Sequence, residues 1–381
     1  MTRTRRVVAC ISALAVLALC TSFFVPVGAA DPASDAAVSW LATQQQSDGG
    51  FEIAAPGSIF ETPDVVLAVA EHAQTGTTWN TSEALAAVQA LQVGGKSPLD
   101  YLESFIASDN DEGRAARMIV EVAAPLGMDP TAFGSVDLVT RMGGCANTST
   151  ATFNGNLYLA LAQQLACSGA PAALISDIRG AQHDNGGWGF TGNPAVDDVD
   201  NDTTALGVEA LIGSGATAAD PDVRAALMYL AGSFQANGSW QSFGSDDPNS
   251  TAMAMLAITA AGFDVGTSCW RDTLVPATAG SPYTGPATWL VSQQLTSGSD
   301  AGRVQSPADS FPPISTFATS QSVEGLLRSW LPVARATTQT CTTPTPPTDP
   351  AGDNASPVQV GGITVTATAN DPITVQPSFT G

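Results

Sequence analysis

Trp40-Leu41-Ala42-Thr43-Gln44-Gln45-Gln46-Ser47-Asp48-Gly49-Gly50-Phe51 runs from an apolar helix through a glutamine into a Gly-Gly-aromatic turn. The unit returns as Ile178-Arg179-Gly180-Ala181-Gln182-His183-Asp184-Asn185-Gly186-Gly187-Trp188-Gly189-Phe190. A shortened copy, Phe234-Gln235-Ala236-Asn237-Gly238-Ser239-Trp240, follows about 50 residues later. A period of that size marks a stacked or closed repeat architecture, in which no single unit buries its own apolar face. Within the turn, Gly186 permits a left-handed backbone at the helix end. Trp188 is expected to bury its ring between units and Gln182 to bond the exposed turn backbone, a structural task rather than ligand binding.

Between residues 35 and 335 the pattern predicts six helical pairs, whose second helices form the clearer series. They cover residues 64–70, 115–123, 156–162, 202–211, 249–258 and 320–327. Small and apolar almost all round, they predict burial among other helices. Most open on Asp, Asn, Ser or Thr, which accept hydrogen bonds from first-turn amides. The alternating first helices, such as 84–91 and 223–231, carry more polar positions and belong to an outer layer.

Outside the repeats, residues 1–30 have the form of a secretory signal peptide: Arg3, Arg5 and Arg6, an apolar run from Val7 to Cys20, and small residues up to Ala30. A lipoprotein site at Cys20 is disfavoured by the large Leu19 before it. Residues 31–336 hold the repeats, 337–357 a Thr/Pro-rich linker, and 358–381 a short tail that alternates like β-strands. The expected location is outside the cell or in its envelope, with no transmembrane segment in the mature chain.

A net charge of −22 with Lys96 as the one lysine argues against nucleic acid and anionic membranes, both of which need basic contacts. Four cysteines lie beyond the signal segment: Cys145, Cys167, Cys269 and Cys341. Two disulfides are expected, with three connectivities open; Cys145–Cys167 and Cys269–Cys341 are favoured because each pair flanks one helical pair. With His72 and His183 as the only histidines and no Cys-x-x-Cys, no zinc site and no cofactor is expected.

The Gln-x-x-[Asp/Asn]-Gly-Gly-[Trp/Phe] turns, followed by helix starts such as Asp202-Thr203-Thr204-Ala205-Leu206, resemble the repeats of the prenyltransferase and squalene-oxidase superfamily. That group includes squalene–hopene cyclases, protein prenyltransferase β subunits and the helical domain of cobalamin carriers. The resemblance covers about 300 residues and is strongest in repeats one, four and five. It implies an all-α fold, an α6/α6 toroid with six inner helices around a funnel and six outer helices around them.

Asp197-Asp198-Val199-Asp200-Asn201-Asp202-Thr203-Thr204-Ala205 is the sharpest chemical candidate. It resembles the Asp-x-Asp-Asp-Thr-Ala motif of class II terpene cyclases, whose middle aspartate protonates an alkene. Matching the Thr-Ala pair implies Asp202 as the acid and Asp200 as the first motif position, with Thr203 replacing the last aspartate. The competing account is structural, with Asp202 a capping or first-turn acid and Asp198 and Asp200 in a solvated loop. Against a cyclase stand the room for one toroid, an aromatic content of 7% and export. No complement-type thioester, Gly-x-Ser-x-Gly, His-Glu-x-x-His or phosphate-loop pattern occurs.

In a toroid the inner helices run parallel, so their N-terminal amides would ring one mouth. Asp64, Asn156, Asp202, Asn249 and Ser320 are the candidate collar. The expectation is non-catalytic binding of a small ligand or envelope partner at that mouth. The alternative is a terpene-cyclase-like enzyme with Asp202 as general acid, and a purely structural ring is the third.

Overall fold

A computed structural model describes residues 31–53, 56–76, 78–306 and 315–331, with the backbone of 334–335. The signal segment, linker, β-like tail and Cys341 lie outside these residues. Contacts divide the chain at Thr342, and all described residues fall in the first unit. Among them no helix is long and apolar enough to cross a membrane.

In chain order the helices are α1 (Pro32–Thr43), α2 (Thr62–His72), α3 (Thr81–Ala90), α4 (Pro98–Ile106) and α5 (Glu112–Met118), then a π-helical turn (Ile119–Ala123). Next come α6 (Leu138–Arg141), α7 (Phe153–Ala166), α8 (Ala172–Gly180), α9 (Asn201–Gly213) and α10 (Pro221–Ser233). The last are α11 (Pro248–Ala260), α12 (Cys269–Leu274), α13 (Pro286–Ser292) and α14 (Ser315–Leu327). Three two-stranded antiparallel ribbons punctuate them: β1 (Trp188–Gly189) with β2 (Val199–Asp200), β3 (Trp240–Ser242) with β4 (Ser245–Asp247), and β5 (Ser329–Trp330) with β6 (Ala334–Arg335).

Helices α2, α5 with its π turn, α7, α9, α11 and α14 form an inner set. Every residue of α11 from Pro248 to Thr259 is buried, whereas outer α3 buries only Ala84 and Val88. Alanine and glycine make this possible, because short side chains let neighbouring helices approach on all sides. Each inner helix packs on the next, and α14 packs on α2, so the contacts form a closed cycle. The second inner helix departs from expectation. Where one α-helix over 115–123 is predicted, the ladder widens after Met118 and Ala124 bonds back to Ile119 at 3.0 Å. Three β-branched residues (Ile119, Val120, Val122) crowd this turn, and widening it is one way to relieve them.

The repeated turn owes its shape to three bonds. First, the aromatic residue donates its backbone N–H to a threonine hydroxyl of the following inner helix: Phe51 to Thr62 (3.0 Å), Trp188 to Thr204 (2.9 Å) and Trp240 to Thr251 (3.0 Å). Val304 does the same to Thr319 (3.0 Å), revealing a fourth copy that lacks the aromatic signature. Second, the indole N–H of Trp188 and of Trp240 bonds an outer-helix carbonyl, at Ile178 (2.7 Å) and Leu230 (2.8 Å). Third, Gln182 Nε2 donates to Gly186 O in its own turn and to Asp222 O in the next outer helix.

In the first copy the clamp is Gln45, which reaches Gly49, Leu91 and Lys96. The last clamp closes the cycle, with Gln294 Nε2 donating to Ala33 O of α1 at 2.8 Å. Two glycines show why the turn demands them. Gly186 has φ 89°, and a Cβ there would strike the backbone of Ala225; Gly302, φ 101°, lies equally close to Ala36 of α1. Cys145 and Cys167 form a disulfide across α7, as expected. The other favoured pairing, Cys269 with Cys341, reaches outside the described residues.

Candidate functional site

At the described N-terminal ends of α2, α5, α7, α9 and α11, first-turn amides are met by the chain's own oxygens. Asp111 caps α5 by accepting from Arg114 N–H (2.8 Å), and Thr152 caps α7 through Gly155 N–H (3.0 Å). Asp247 caps α11 through Asn249 N–H (2.8 Å). The first turn of α2 is filled from a distance by the Glu52 carboxylate, which accepts from the backbone of Phe60 (2.9 Å), Glu61 (3.0 Å) and Thr62 (2.8 Å). Donors already satisfied by the chain's own oxygens offer little to a ligand.

The five collar candidates separate accordingly. Asn156 Oδ1 accepts from Thr150 N–H (2.6 Å), and Ser320 Oγ donates to Phe317 O (3.0 Å), so both serve local backbone. Asp64, Asp202 and Asn249 instead belong to contacts between helices. The threonine clamp also corrects their register. Asp202 and Asn249 lie two residues before Thr204 and Thr251, whereas Asp64 lies two residues after Thr62.

Across the middle of the cycle runs a chain of buried polar groups. Asn249 Nδ2 donates to Gln321 Oε1 (3.0 Å), and Gln321 Nε2 donates to Asp64 (3.3 Å). Asp64 receives Arg117, Arg117 Nε donates to Glu121 (2.6 Å), and Tyr158 Oη donates to the other Glu121 oxygen (2.6 Å). These six side chains come from α11, α14, α2, α5, the π turn and α7. Burial disfavours the Arg117 charge, but Asp64 and Glu121 more than restore it. Burial raises the Asp64 pKa against the pull of Arg117, and takes Glu121 to about 7. A half-compensated set of buried ions is a costly arrangement, so each partner depends on the others.

Further buried carboxyls, which the sequence reading did not single out, interact electrostatically with this chain. Glu209 is fully buried, and its Oε2 accepts Leu331 N–H at 2.9 Å. Burial, with a contribution from Glu121, pushes it up to about 8. Glu324 is held well above the usual glutamate range by burial and then by Glu71. The signal was present in the sequence: single acids inside apolar stretches, at Val120-Glu121-Val122, Val208-Glu209-Ala210 and Val323-Glu324-Gly325.

At the start of α9 the structure separates the two motif acids. Asp200 is the cap, accepting from Thr203 N–H (2.6 Å) and Thr203 Oγ1 (2.8 Å). Asp202, two residues on and within the first turn, is not the cap. Its Oδ1 is enclosed without a hydrogen-bond partner, and Ser250 of α11 bonds the carboxyl. Burial pushes Asp202 up to about 7; Ser250 opposes this, and Asp200 and Asp247 add to it. Asp198 is a turn residue that accepts Thr191 N–H (2.8 Å). Beside this helix start lies a recess of about 440 Å³ lined by Asn185, Met228, Tyr229, Gly232 and Ser233. Ser233 Oγ donates to Asn201 Oδ1 (2.8 Å), and both Asp200 and Asp202 bear on Tyr229, which burial and these charges push up to about 12.

The large buried aromatics Trp188, Trp240 and Trp270 sit in the turns and outer layer rather than around the centre. Among the described residues no group of histidine, cysteine and acids is placed to hold a metal ion.

No family model matches this sequence, and no curated protein matches it. Solved structures do. The apo type II terpene cyclase MstE from Scytonema superposes with a TM-score of 0.53 at 15% identity, over 78% of this chain and 97% of that one. Two variants of the same enzyme, each in complex with geranylgeranyl dihydroxybenzoate (substrate), give TM-scores of 0.51 and 0.53 at 13% identity, over 78% of this chain and 96% of theirs.

The chain therefore shares its fold with these type II terpene cyclase structures; identities this low carry the fold alone. The expectation of a non-catalytic collar is corrected. Its amides are capped by the chain itself, and the solved structures that share the fold are of an enzyme, two of them with substrate bound.

Proposed function

We propose that this chain is an acid-initiated cyclase of the type II terpene cyclase kind, acting on a small lipophilic isoprenoid. Its six outer–inner hairpins are α1/α2, α4/α5, α6/α7, α8/α9, α10/α11 and α13/α14, which we assign as an α6/α6 toroid with α3 and α12 as added outer helices. Residues 1–30 direct export in this reading, so the enzyme works outside the cell or in its envelope.

The observation that carries the proposal is the Asp202 carboxyl, enclosed at Oδ1, raised to about 7 and beside a recess of about 440 Å³. The recess is shallow and open, lined by Asn185 and outer helix α10 rather than by Asp202 itself. A carboxylic acid still protonated near neutral pH can give its proton to a carbon–carbon double bond, whose π electrons form the new C–H bond. The cation left behind is consumed by the next double bond as a ring closes. Loss of a proton from the last cation ends the sequence, and solvent reprotonates Asp202. Asp200, occupied by the Thr203 amide and hydroxyl, holds the helix start that aims Asp202.

The test is incubation of purified protein with geranylgeranyl dihydroxybenzoate, squalene and geranylgeranyl diphosphate, with products read by mass and chromatographic shift. Asp202→Asn should lower the yield of cyclised product by about 10²–10⁴-fold. No product from any of the three with folded protein would sink the proposal. What would then stand is a ring whose centre is filled by its own polar chain.

A further inference from the structure

The loop over residues 190–198 joins β1 to β2 and leads straight into Asp200 and Asp202. Its last residue folds back over its start, where Asp198 Oδ2 accepts Thr191 N–H at 2.8 Å. Gly189 makes room for that carboxyl, since a Cβ there would lie 2.0 Å from Asp198 Oδ1. Gly192 rests against the ring of Phe153 on α7, while Phe190 and Val196 are exposed.

The second oxygen of Asp198 has no hydrogen-bond partner, and neither has the atom opposite it. His183 Nε2, from the repeated turn before β1, stands 3.8 Å from Asp198 Oδ1, and solvent reaches neither atom. That gap is too long for a hydrogen bond, so a neutral imidazole gains little there. A protonated imidazole brings an N–H and a full charge to the carboxylate. A shift of about 1 Å then turns the contact into a charge-assisted hydrogen bond.

We propose that His183 and Asp198 form a pH-set clasp on the β1–β2 loop, closed as an ion pair while the imidazole carries its proton and released once that proton is lost.

Asp198 supplies its half of the pair throughout. Burial works against its charge, but the bonds from Thr191 and then His183 outweigh it and hold its pKa below the ordinary 3.8. Charged groups on the surrounding elements are engaged elsewhere or face solvent. On α8, Arg179 is held by Asp220 and Asp222 of α10. Asp177, Asp184, Asp197 and Arg224 are exposed. Tyr158 of α7 bonds Glu121, Tyr229 of α10 lines the recess, and Asp200 caps α9. Asp202 and Glu209 on α9, raised to about 7 and about 8, change charge close to the imidazole range, so the test must separate them from His183.

Imidazoles change charge between about pH 5 and 8. The clasp contributes below that range, where Asp198 is ionised and His183 protonated, and is lost as pH rises through it.

Native-state hydrogen exchange of the full chain at pH 5 and pH 8, corrected for intrinsic rates, reads the loop through its bonded amides at Thr191, Gly192, Val196 and Asp198. Their protection should fall by about two- to fivefold at pH 8, the effect of losing a partly exposed ion pair. His183→Gln should remove that difference, and Asp202→Asn should leave it. If His183→Gln does not fold, Asp198→Asn removes the charge from the other side while keeping an acceptor for Thr191. Protection that is the same at both pH values, or that changes as much in the folded His183→Gln variant, would overturn the clasp. So would a difference that disappears in Asp202→Asn. None of these outcomes depends on whether the chain is a cyclase.

Discussion

At the residue scale, neighbouring acids of one motif have different tasks because of what their oxygens touch. Asp200 has its carboxylate in hydrogen bonds to the first turn of α9, whereas Asp202 keeps one oxygen enclosed and bare. Keeping a carboxyl there costs stability. With a folded value of about 7 against 3.8, the fold is favoured fully below 3.8 and loses that favour as pH rises through about 7. Asp202→Asn removes the titration. It should lower product yield by about 10²–10⁴-fold while raising stability at pH 8 by ~2 kcal/mol, a reduced share of the full shift because the residue as a whole keeps some contact with solvent. Thermal melts at pH 5 and pH 8 check this, and a variant less stable at pH 8 than the parent would contradict it.

The Arg117 group is the next residue-scale case. Its guanidinium joins Asp64 to Glu121 from the inside, with both acids nearly inaccessible. Arg117→Ala leaves two buried carboxyls without their cation and should cost about 3–5 kcal/mol in denaturant unfolding. A loss under 1 kcal/mol would mean that water replaces the arginine. The sequence marked Asp64 but not its partner. Arg117 lies 53 positions away, and only the packing of the π turn after α5 against α2 brings them together.

At the scale of elements, the helix–turn–helix unit was legible because its requirements are local. A left-handed glycine, an aromatic ring to bury and a threonine one helix later occur at fixed offsets, so they appear as a repeating string. Trp188 meets the last two, being fully buried and donating its amide to Thr204, and adds an indole N–H bond to Ile178. Trp188→Ala should cost about 3–5 kcal/mol. Trp188→Phe should cost less, because it loses the indole bond but keeps most of the burial. Equal losses for the two, measured by chemical denaturation, would show that the ring volume matters little.

The degenerate repeats were harder to read. The turn before α14 keeps the amide–threonine bond through Val304 but has no aromatic residue to announce it. The second inner helix widens into a π turn that no composition signal marked.

At the scale of the molecule, closure is the property that no single repeat contains. Gln294 reaches Ala33 across nearly the whole length of the repeats, and Gly302 lies against the backbone of Ala36. A side chain at position 302 would be strained by the left-handed backbone and would collide with α1. Gly302→Val should therefore open the joint, lowering the melting temperature and exposing α1 and α14 to proteolysis before the central repeats. Cleavage that begins in α7 or α9 instead would argue against a joint that yields first.

By itself the sequence determined the repeating unit and the alternation of buried inner helices with more polar outer ones, and it marked Asp202 as the acid to examine; it favoured the Cys145–Cys167 bridge but left three connectivities open. These rest on contacts between residues close in the chain, where spacing alone reports geometry. Only the tertiary structure decided that the collar amides are already occupied, that Asp200 rather than Asp202 is the cap, and that Glu71, Glu121, Glu209 and Glu324 converge. Those facts depend on bringing helices from opposite ends of the chain to a common centre. There, burial far from water gives a carboxyl properties that its neighbours in sequence do not reveal.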